Sequence, residues 1–455
     1  MKMHKLMTLA VALTVSAMAG NTPAATLYFD GNGDGTLDGT GTWTTSGFNG
    51  SPNGQWSQSA ALISNPGPYG AWDQVGGQDI ARIAGTTGIV TISGTVNADR
   101  VYSSPANQTL TGGTLNLTGA AIISATGNFF ISSNITGSNG LNKTTDFGGA
   151  ILTLSGVNTY SGNTVNNFGQ LRAGSNTALP ATTIVTVGAS GQLPINGNVS
   201  AQISGVNGTG LVNTAAGGFA LPRTLTLNRA AGTETFNGRF TTAGGVGGST
   251  LNLIKSGGYT QILGGTTAND IAGTKTINGG VLALAKTAGV DAIADAPIVL
   301  NGGSLRLDAN NQINNSADMT LSGGTFNLNG KSETLDVASL TANSILDFGT
   351  LAGNSTLLFS SLTRTGGILT VANWDGMFLP GGGGNDQFRV TSLPSMTVLS
   401  NIQFSPTAVY PVGFLPGARA INFGTYFELV PTIPEPAGLA ILGLGALIPL
   451  ARRRK

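Results

Sequence analysis

One short phrase keeps returning along this chain: TGGTLNLTG from Thr111, NGGVLALAK from Asn278, NGGSLRLDA from Asn301, SGGTFNLNG from Ser322 and TGGILTVAN from Thr365. The second glycine of each pair falls at positions 113, 280, 303, 324 and 367, and the last three gaps are 23, 21 and 43, the final one close to two periods. Two shorter echoes, GQLRAG from Gly169 and GQLPIN from Gly191, are 22 apart. A unit of about 22 residues cannot bury its own apolar face, so it must stack on copies of itself. Within the phrase, L-x-L alternation sends apolar side chains to one face and polar ones to the other, as a strand requires. The glycine pair supplies positive φ or a bulge at a corner. The expected fold is therefore all-β, a β-solenoid (parallel β-helix) with rungs of about 22 residues. The period fails between Ala120 and Asp146, where interrupted or irregular rungs are expected.

Composition agrees with that architecture. Gly accounts for 70 of 455 residues, and charged residues for 9 %, against a usual charged share of ~25 %. With 40 % hydrophobic residues the chain has enough apolar content to avoid the disordered class. There is no Cys, and the single His is His4. Disulfides, thiolate metal sites, Cys or His nucleophiles and the commonest zinc ligands are thus excluded from the body, and no cofactor is expected.

Both ends read as addresses. The start has Lys2 and Lys5, an apolar stretch from Leu6 to Val15, then small residues, the layout of a secretory signal peptide with cleavage after Ala19 or Ala25; an uncleaved anchor is the alternative. At the other end Pro434, Glu435 and Pro436 precede an apolar run from Ala437 to Ala451, an expected C-terminal helix, and then Arg452, Arg453, Arg454 and Lys455. The run is shorter than the ~20 residues of a comfortable span. The four cations would hold its end on the cytoplasmic side, leaving the body outside, which agrees with an N-terminal export signal. Of the 21 cationic residues, Lys2, Lys5 and the last four lie in these ends, and of the 20 acidic ones only Glu435 does. The body is then slightly acidic, which gives no support to nucleic-acid binding.

The Pro-Glu-Pro motif, short apolar tail and basic stop, in that order, resemble the PEP-CTERM sorting signal of exopolysaccharide-producing Gram-negative bacteria. The resemblance covers about 25 residues. It implies recognition by an exosortase-type processing enzyme, transient residence of the tail in the inner membrane, and a place on the cell surface or in the extracellular matrix, with exopolysaccharide as an expected partner. A plain tail anchor is the alternative. Separately, ILTLSGVNTYSGNTVNNFGQLRAGSNTALP from Ile151 to Pro180 resembles the autotransporter-associated β-strand repeat through Leu152, Leu154, Gly156, Asn158, Tyr160, Gly162, Gly169 and Leu171. Family members that export themselves end in a large β-barrel, and this chain ends in a helix-length tail. The expected organisation is a signal peptide over 1–25, an N-terminal cap over 26–105 carrying Trp43, Trp56 and Trp72, solenoid repeats over 106–364, a C-terminal cap and stalk over 365–431, and the sorting signal over 432–455.

An enzyme on such a scaffold would stack carboxylates and cations from neighbouring rungs on one outer face. Aligning the glycine pairs places Asn116, Ala283, Arg306, Asn327 and Thr370 in one outward column, and Thr118, Ala285, Asp308, Asn329 and Ala372 in the next. Only Arg306 with Asp308 is charged, although loop residues such as Asp291 and Asp295 escape that register. Two calcium-like stretches are weak. Asp30, Asn32, Asp34 and Gly35 follow an EF-hand pattern that has Gly41 where the bidentate Glu belongs. GGGGNDQFR reaches Asp386 and Phe388 as a lone nonapeptide where calcium rolls need tandem copies. The expected function is a non-catalytic surface or matrix protein, structural or adhesin-like; a polysaccharide-degrading enzyme and a carbohydrate-binding protein are the alternatives.

Overall fold

The computed structural model describes residues 25–30, 40–44, 56–57, 72, 79–144, 150–214, 221–242, 249–270, 272–350, 354–377, 384–405 and 415–432. Among these, 35 strands and a single helix of four residues, Met396–Leu399, make up the regular structure. The strands form parallel sheets of 24 and 11 members that run the length of a solenoid. Leu282, Leu305, Phe326, Leu346 and Val371 succeed one another rung by rung in the larger sheet, and each is at most 2 % exposed. These side chains point inward because L-x-L places every second residue on the same face. The core is thus a stack of apolar ladders.

From Gly279 onward the glycine pairs form the corner between the two sheets, whereas Gly112 and Gly113 lie within Gln108–Ala125 of the larger sheet. The chain leaves Lys275–Ile277 in the smaller sheet, turns at Gly279 and Gly280, and enters Val281–Lys286 in the larger one. Successive corners lie on one another: a Cβ on Gly303, at φ +65°, would stand 2.7 Å from the Gly279 carbonyl carbon and from the Gly280 oxygen. Positive φ and the neighbouring backbone thus both demand glycine there. The likeness to the autotransporter-associated repeat has an equally concrete basis. The Asn158 side chain accepts from Ile135 N at 2.8 Å and donates to Ala178 O at 2.7 Å, tying three rungs together. Tyr160 is fully buried with its hydroxyl 2.7 Å from Thr164 Oγ1, and a Cβ on Gly156 would fall 2.2 Å from Ser133 O. Asn269 repeats the staple further on, accepting from Phe240 N and donating to Ala292 O.

The stack differs from the sequence expectation in three places. The stretch from Ala120 to Asp146 is not interrupted where it is described. Phe129–Ile131, Asn134–Thr136 and Leu141–Thr144 pair in parallel with Gln108–Ala125, and Leu152–Leu154 continue onto Phe129–Ile131. This rung turns at Gly137 and Gly140, both at positive φ, and so carries no Gly-Gly phrase. Secondly, parallel pairing starts well before residue 106, since Thr26–Phe29 pairs with Ile80–Gly85 and Gly41–Thr44 with Gly88–Pro105. The aromatic cluster sits on these first rungs: the Trp43, Trp56 and Trp72 rings lie 4.7 to 4.9 Å apart, each at most 4 % exposed. Thirdly, Ser344–Asp347 supplies a rung entered through Ala342 and Asn343 instead of two glycines. Thr370 therefore aligns with Ile345 and, beyond it, Thr325, not with Asn327. The slip is two residues, so inside and outside are preserved.

Rung shape also changes along the axis. Ser200–Ile203, Gly205–Gly208 and Leu211–Thr214 form a three-strand turn, as do Thr224–Asn228, Thr233–Phe236 and Arg239–Thr241. From Asn252 onward most rungs keep two strands, and the third side becomes a column of loops. These loops still bond to one another: Asn269 N to Asp291 O at 2.9 Å, Ala292 N to Gln312 O at 2.7 Å, and Asn314 N to Ile293 O at 2.9 Å. Antiparallel pairing among the described residues is confined to the first and last segments, Phe29 with Trp56 and Val390 with Phe427 among them.

The corner geometry predicts unequal glycine sensitivities. At Gly289, φ is +78° and an added Cβ would meet nothing within 4 Å, so Gly289→Ala should cost about 1 kcal/mol, from backbone strain alone. Gly303→Ala adds collision with two backbone atoms and should exceed about 3 kcal/mol. Chemical denaturation of both variants checks this; equal losses would show that the stacked corners do not constrain the fold.

Candidate functional site

Pro434, Glu435, Pro436 and the basic stop from Arg452 to Lys455, with the apolar run before it, lie outside the described residues, as do the signal peptide and most of the EF-hand-like stretch. Among the described residues no helix is long and apolar enough to cross a membrane. No cluster of three or more His, Asp or Glu side chains that could hold a metal ion is found among them either. Asp30 is fully buried, and Asp386 takes part in a different arrangement described below.

The outward columns can be read directly. Ala283 pairs with Arg306 and Arg306 with Asn327, as the glycine alignment implies. Ala283 is nevertheless fully buried, its methyl standing between the longer Ile262 and Arg306 on adjacent strands. Asn116 belongs to another part of the stack, donating to Asn97 Oδ1 at 2.8 Å and accepting from Thr136 at 3.1 Å. Arg306 grips Asp308 with two parallel bonds of 2.7 and 2.8 Å. The corrected register adds Asp347 opposite Asn327, a neighbour missed when the phrase is aligned without its intervening rung. Asn329 donates to Asp308 at 3.2 Å, and Asn327 and Asn373 donate to Asp347 at 3.1 and 2.7 Å. Every carboxylate in this column is spoken for by a neighbouring rung, so the column holds strands together and presents no free acid. Exposed pairs of this kind contribute ~0–1 kcal/mol each.

A second acidic arrangement lies near the C-terminal end. Burial pushes the Asp386 carboxyl up to about 7, helped by side-chain contact with Asp375 and opposed by the Asp375 backbone N–H, 3.1 Å from Asp386 Oδ2. Asp375 in turn accepts from the Asn385 amide at 3.0 Å, so both acids of this arrangement are engaged by neighbouring groups.

The interior carries charge of its own, which sequence reading missed because a Lys in a strand reads as an outward residue. Lys143, Lys255, Lys275 and Lys286 are each at most 4 % exposed. Their ammonium groups donate to backbone oxygens: Lys286 Nζ to Gly264 O at 2.9 Å and Gly238 O at 3.1 Å, and Lys255 Nζ to Ser256 O, Gly257 O and Gly279 O at 2.9 to 3.1 Å. Burial draws all four down to about 8. Burial likewise pushes Glu333 up to about 7, against three backbone N–H donors from Gln312, Ile313 and Thr334 at 2.7 to 3.1 Å. Tyr160 and Tyr259 are shifted upward by the same cause.

The loop column contains a polar concavity. Gly289, Asp291, Asn311, Ile313, Asn314, Asn315 and Thr334 line a groove of about 480 Å³. Asp291 Oδ2 accepts from the Asn314 amide at 3.0 Å. Of the two loop acids singled out from the sequence, Asp291 lies in this groove, while Asp295 is exposed and does not line it.

No family model matches the chain, and no solved structure matches it. It is 31 % identical over 330 residues to the Adhesin BmaC autotransporter of Brucella suis biovar 1 (strain 1330). That alignment takes in 71 % of this chain and 8 % of the relative, so the chain corresponds to a small part of a much longer protein. The autotransporter-type repeats and the β-helix fold agree with this likeness.

Titration of the buried groups sets a pH profile for stability. Between about 4.5 and 7 the folded protein keeps protons on Glu333 and Asp386 that the unfolded chain releases, so stability falls as pH rises. Between about 8 and 10.5 the unfolded chain keeps lysine protons that the folded protein has lost, so stability rises with pH. Above roughly pH 10 the unfolded tyrosines ionise and the buried ones do not, which reverses the trend. Denaturant midpoints from pH 4 to 11 should show a minimum between the two windows, and Lys286→Met should flatten the rise above pH 8. A profile that is flat from pH 8 to 10 would contradict uncompensated buried ammonium groups.

Proposed function

We propose that this chain is an exported, non-catalytic β-helical protein of the cell surface or extracellular matrix, adhesin-like in action and sorted through its C-terminal Pro434-Glu435-Pro436 signal. The observation that carries the reading is the 31 % identity to an autotransporter adhesin over 330 residues, which runs through most of a solenoid that devotes its polar groups to its own rungs. The Asp308 and Asp347 carboxylates are consumed by Arg306, Asn327, Asn329 and Asn373, and those of Asp386 and Asp375 accept from the Asp375 backbone N–H and the Asn385 amide. That arrangement favours a scaffold over a polysaccharide-degrading enzyme on the same fold.

The sorting half of the proposal rests on the resemblance of the tail to PEP-CTERM signals. In this reading the apolar run lodges in the inner membrane, Arg452 to Lys455 hold its end on the cytoplasmic side, and an exosortase-type enzyme removes the tail before the body reaches the surface, where exopolysaccharide is its partner.

Intact mass of the protein from fractionated native cells tests both halves. Loss of the tail near Pro434 to Pro436, with the body in the outer-surface or medium fraction, is expected; a full-length tail retained in the inner membrane would leave a plain anchor instead. Replacing Arg452, Arg453 and Arg454 with Glu should leave the tail uncleaved. A deletion strain should attach to surfaces or matrix less well than its parent, and unchanged attachment would remove the adhesin-like role.

A further inference from the structure

The groove in the loop column gathers hydrogen-bonding groups that the protein does not use. In the acidic strand-face column, by contrast, Asn327 and Asn329 tie Asp347 and Asp308 to the next rung. In the groove, no described residue bonds to Asp291 Oδ1, to the side-chain amides of Asn311 and Asn315, or to the Thr334 hydroxyl. Its walls are nonetheless fixed. Asn314 is held by Asp291 at 3.0 Å and by its own bond to Ser316 N at 3.0 Å. The backbone N–H groups of Gln312, Ile313 and Thr334 are anchored on the buried Glu333 carboxyl. Asn311 is locked in a left-handed turn at φ +52°. Rigid walls carrying unspent donors and acceptors are what a binding site requires, because little ordering cost remains at the moment of binding.

The volume, about 480 Å³, falls within the ~300–1,000 Å³ range of small-molecule sites. The chemistry of the lining narrows the occupant. One carboxylate oxygen, two amides and a hydroxyl offer both donors and acceptors, which sugar hydroxyls need, since each hydroxyl both gives and takes a hydrogen bond. The groove contains no Lys or Arg, so an anionic sugar would meet Asp291 with no compensating charge. A divalent cation would find a single carboxylate, short of the oxygen set that a calcium site assembles.

We propose that this groove is a subsite for a neutral hexose unit of a polysaccharide, with Asp291 accepting from a pair of adjacent hydroxyls and Asn311, Asn315 and Thr334 completing the ring of contacts. This deepens the surface-protein reading and rests on it for the source of the sugar, since a protein displayed outside the cell meets polysaccharide chains there.

Isothermal calorimetry on the full-length chain in mild detergent, titrated with maltohexaose, cellohexaose and mannohexaose and with the anionic hexagalacturonate, tests the assignment. At least one neutral oligosaccharide should bind saturably, and hexagalacturonate should bind more weakly than it. Asp291→Asn should weaken that binding about tenfold or more, as loss of a charged hydrogen-bond acceptor requires. Thr334→Ala should weaken it less, and Thr370→Ala on a strand of the larger sheet should leave it unchanged, with unfolding midpoints recorded for each variant to confirm the fold. Absence of saturable binding to all three neutral probes, binding indifferent to Asp291→Asn, or binding abolished by chelator overturns the proposal. The surface reading fails separately, through unchanged attachment of the deletion strain: lost attachment with no oligosaccharide binding would sink the groove and leave the adhesin-like role standing.

Discussion

Every rung depends on its neighbours for backbone hydrogen bonds. A parallel strand has no partner within its own turn, so Val281–Lys286 pairs with Thr260–Gly265 on one side and Ser304–Leu307 on the other, and Lys286 N reaches Gln312 Oε1 of a further turn. That single requirement forces equivalent positions into columns. Glycine then lies mostly on glycine at the corner and apolar residue on apolar residue in the core, and groups that leave the ladder are met by side chains from adjacent turns. Asn158 and Asn269 meet that need with amides that read a donor on one rung and an acceptor on another. The buried lysines Lys255 and Lys286 meet it by donating to the carbonyl oxygens of Gly257 and Gly279 and of Gly238 and Gly264.

The same columns account for the scarcity of charge. Stacked equivalents stand one strand spacing apart, ~4.7–4.9 Å, and like charges so placed repel. Asparagine, threonine and serine can repeat indefinitely, since each can donate upward and accept downward; Asn97, Asn116 and Thr136 do this over three rungs. Where acids occur they alternate with amides, as Asp308, Asn329, Asn327 and Asp347 do. The low charge of this protein is thus a consequence of its register, and so is the modest prospect of finding a paired acid site on a strand face.

What the amino-acid sequence revealed and what it hid follow from the same geometry. The period, the glycine corners, and the eight residues from Leu152 to Leu171 that mark the repeat were legible because each answers a backbone demand that only one or two residue types satisfy. The rungs at Phe129–Thr144 and Ser344–Asp347 were not, since they turn through Gly137 and Gly140 or through Ala342 and Asn343, and a period built on Gly-Gly passes over them. Missing the second one displaced Thr370 by two residues and concealed Asp347. Lys143, Lys255, Lys275 and Lys286 were invisible for a different reason: their inward direction follows the strand alternation, but the suitability of Lys143, Lys255 and Lys286 for the interior depends on carbonyl oxygens 22 to 48 residues away. Asp291 could be flagged as lying outside the register, yet its groove could not be drawn, because Asn311 and Thr334 come from later turns.

Loss of the third strand after Arg239–Thr241 is therefore more than an irregularity. While all three sides are strands, nearly every polar group is committed to the ladder, and a substitution on one rung is felt by the next. Once one side becomes a column of loops, a few backbone bonds such as Ala292 N to Gln312 O keep the turns aligned, and the remaining side chains are released from structural duty. Binding groups in rigid scaffolds concentrate on such loops because sequence there can change without breaking the frame. A solenoid can thus keep two faces for self-assembly of its own turns and turn the third toward other molecules. The Asp291 groove lies on that third side, and the Glu333 carboxyl, buried behind it and bonded to three of its backbone N–H groups, shows the interior fixing the shape of a surface that the strand register does not control.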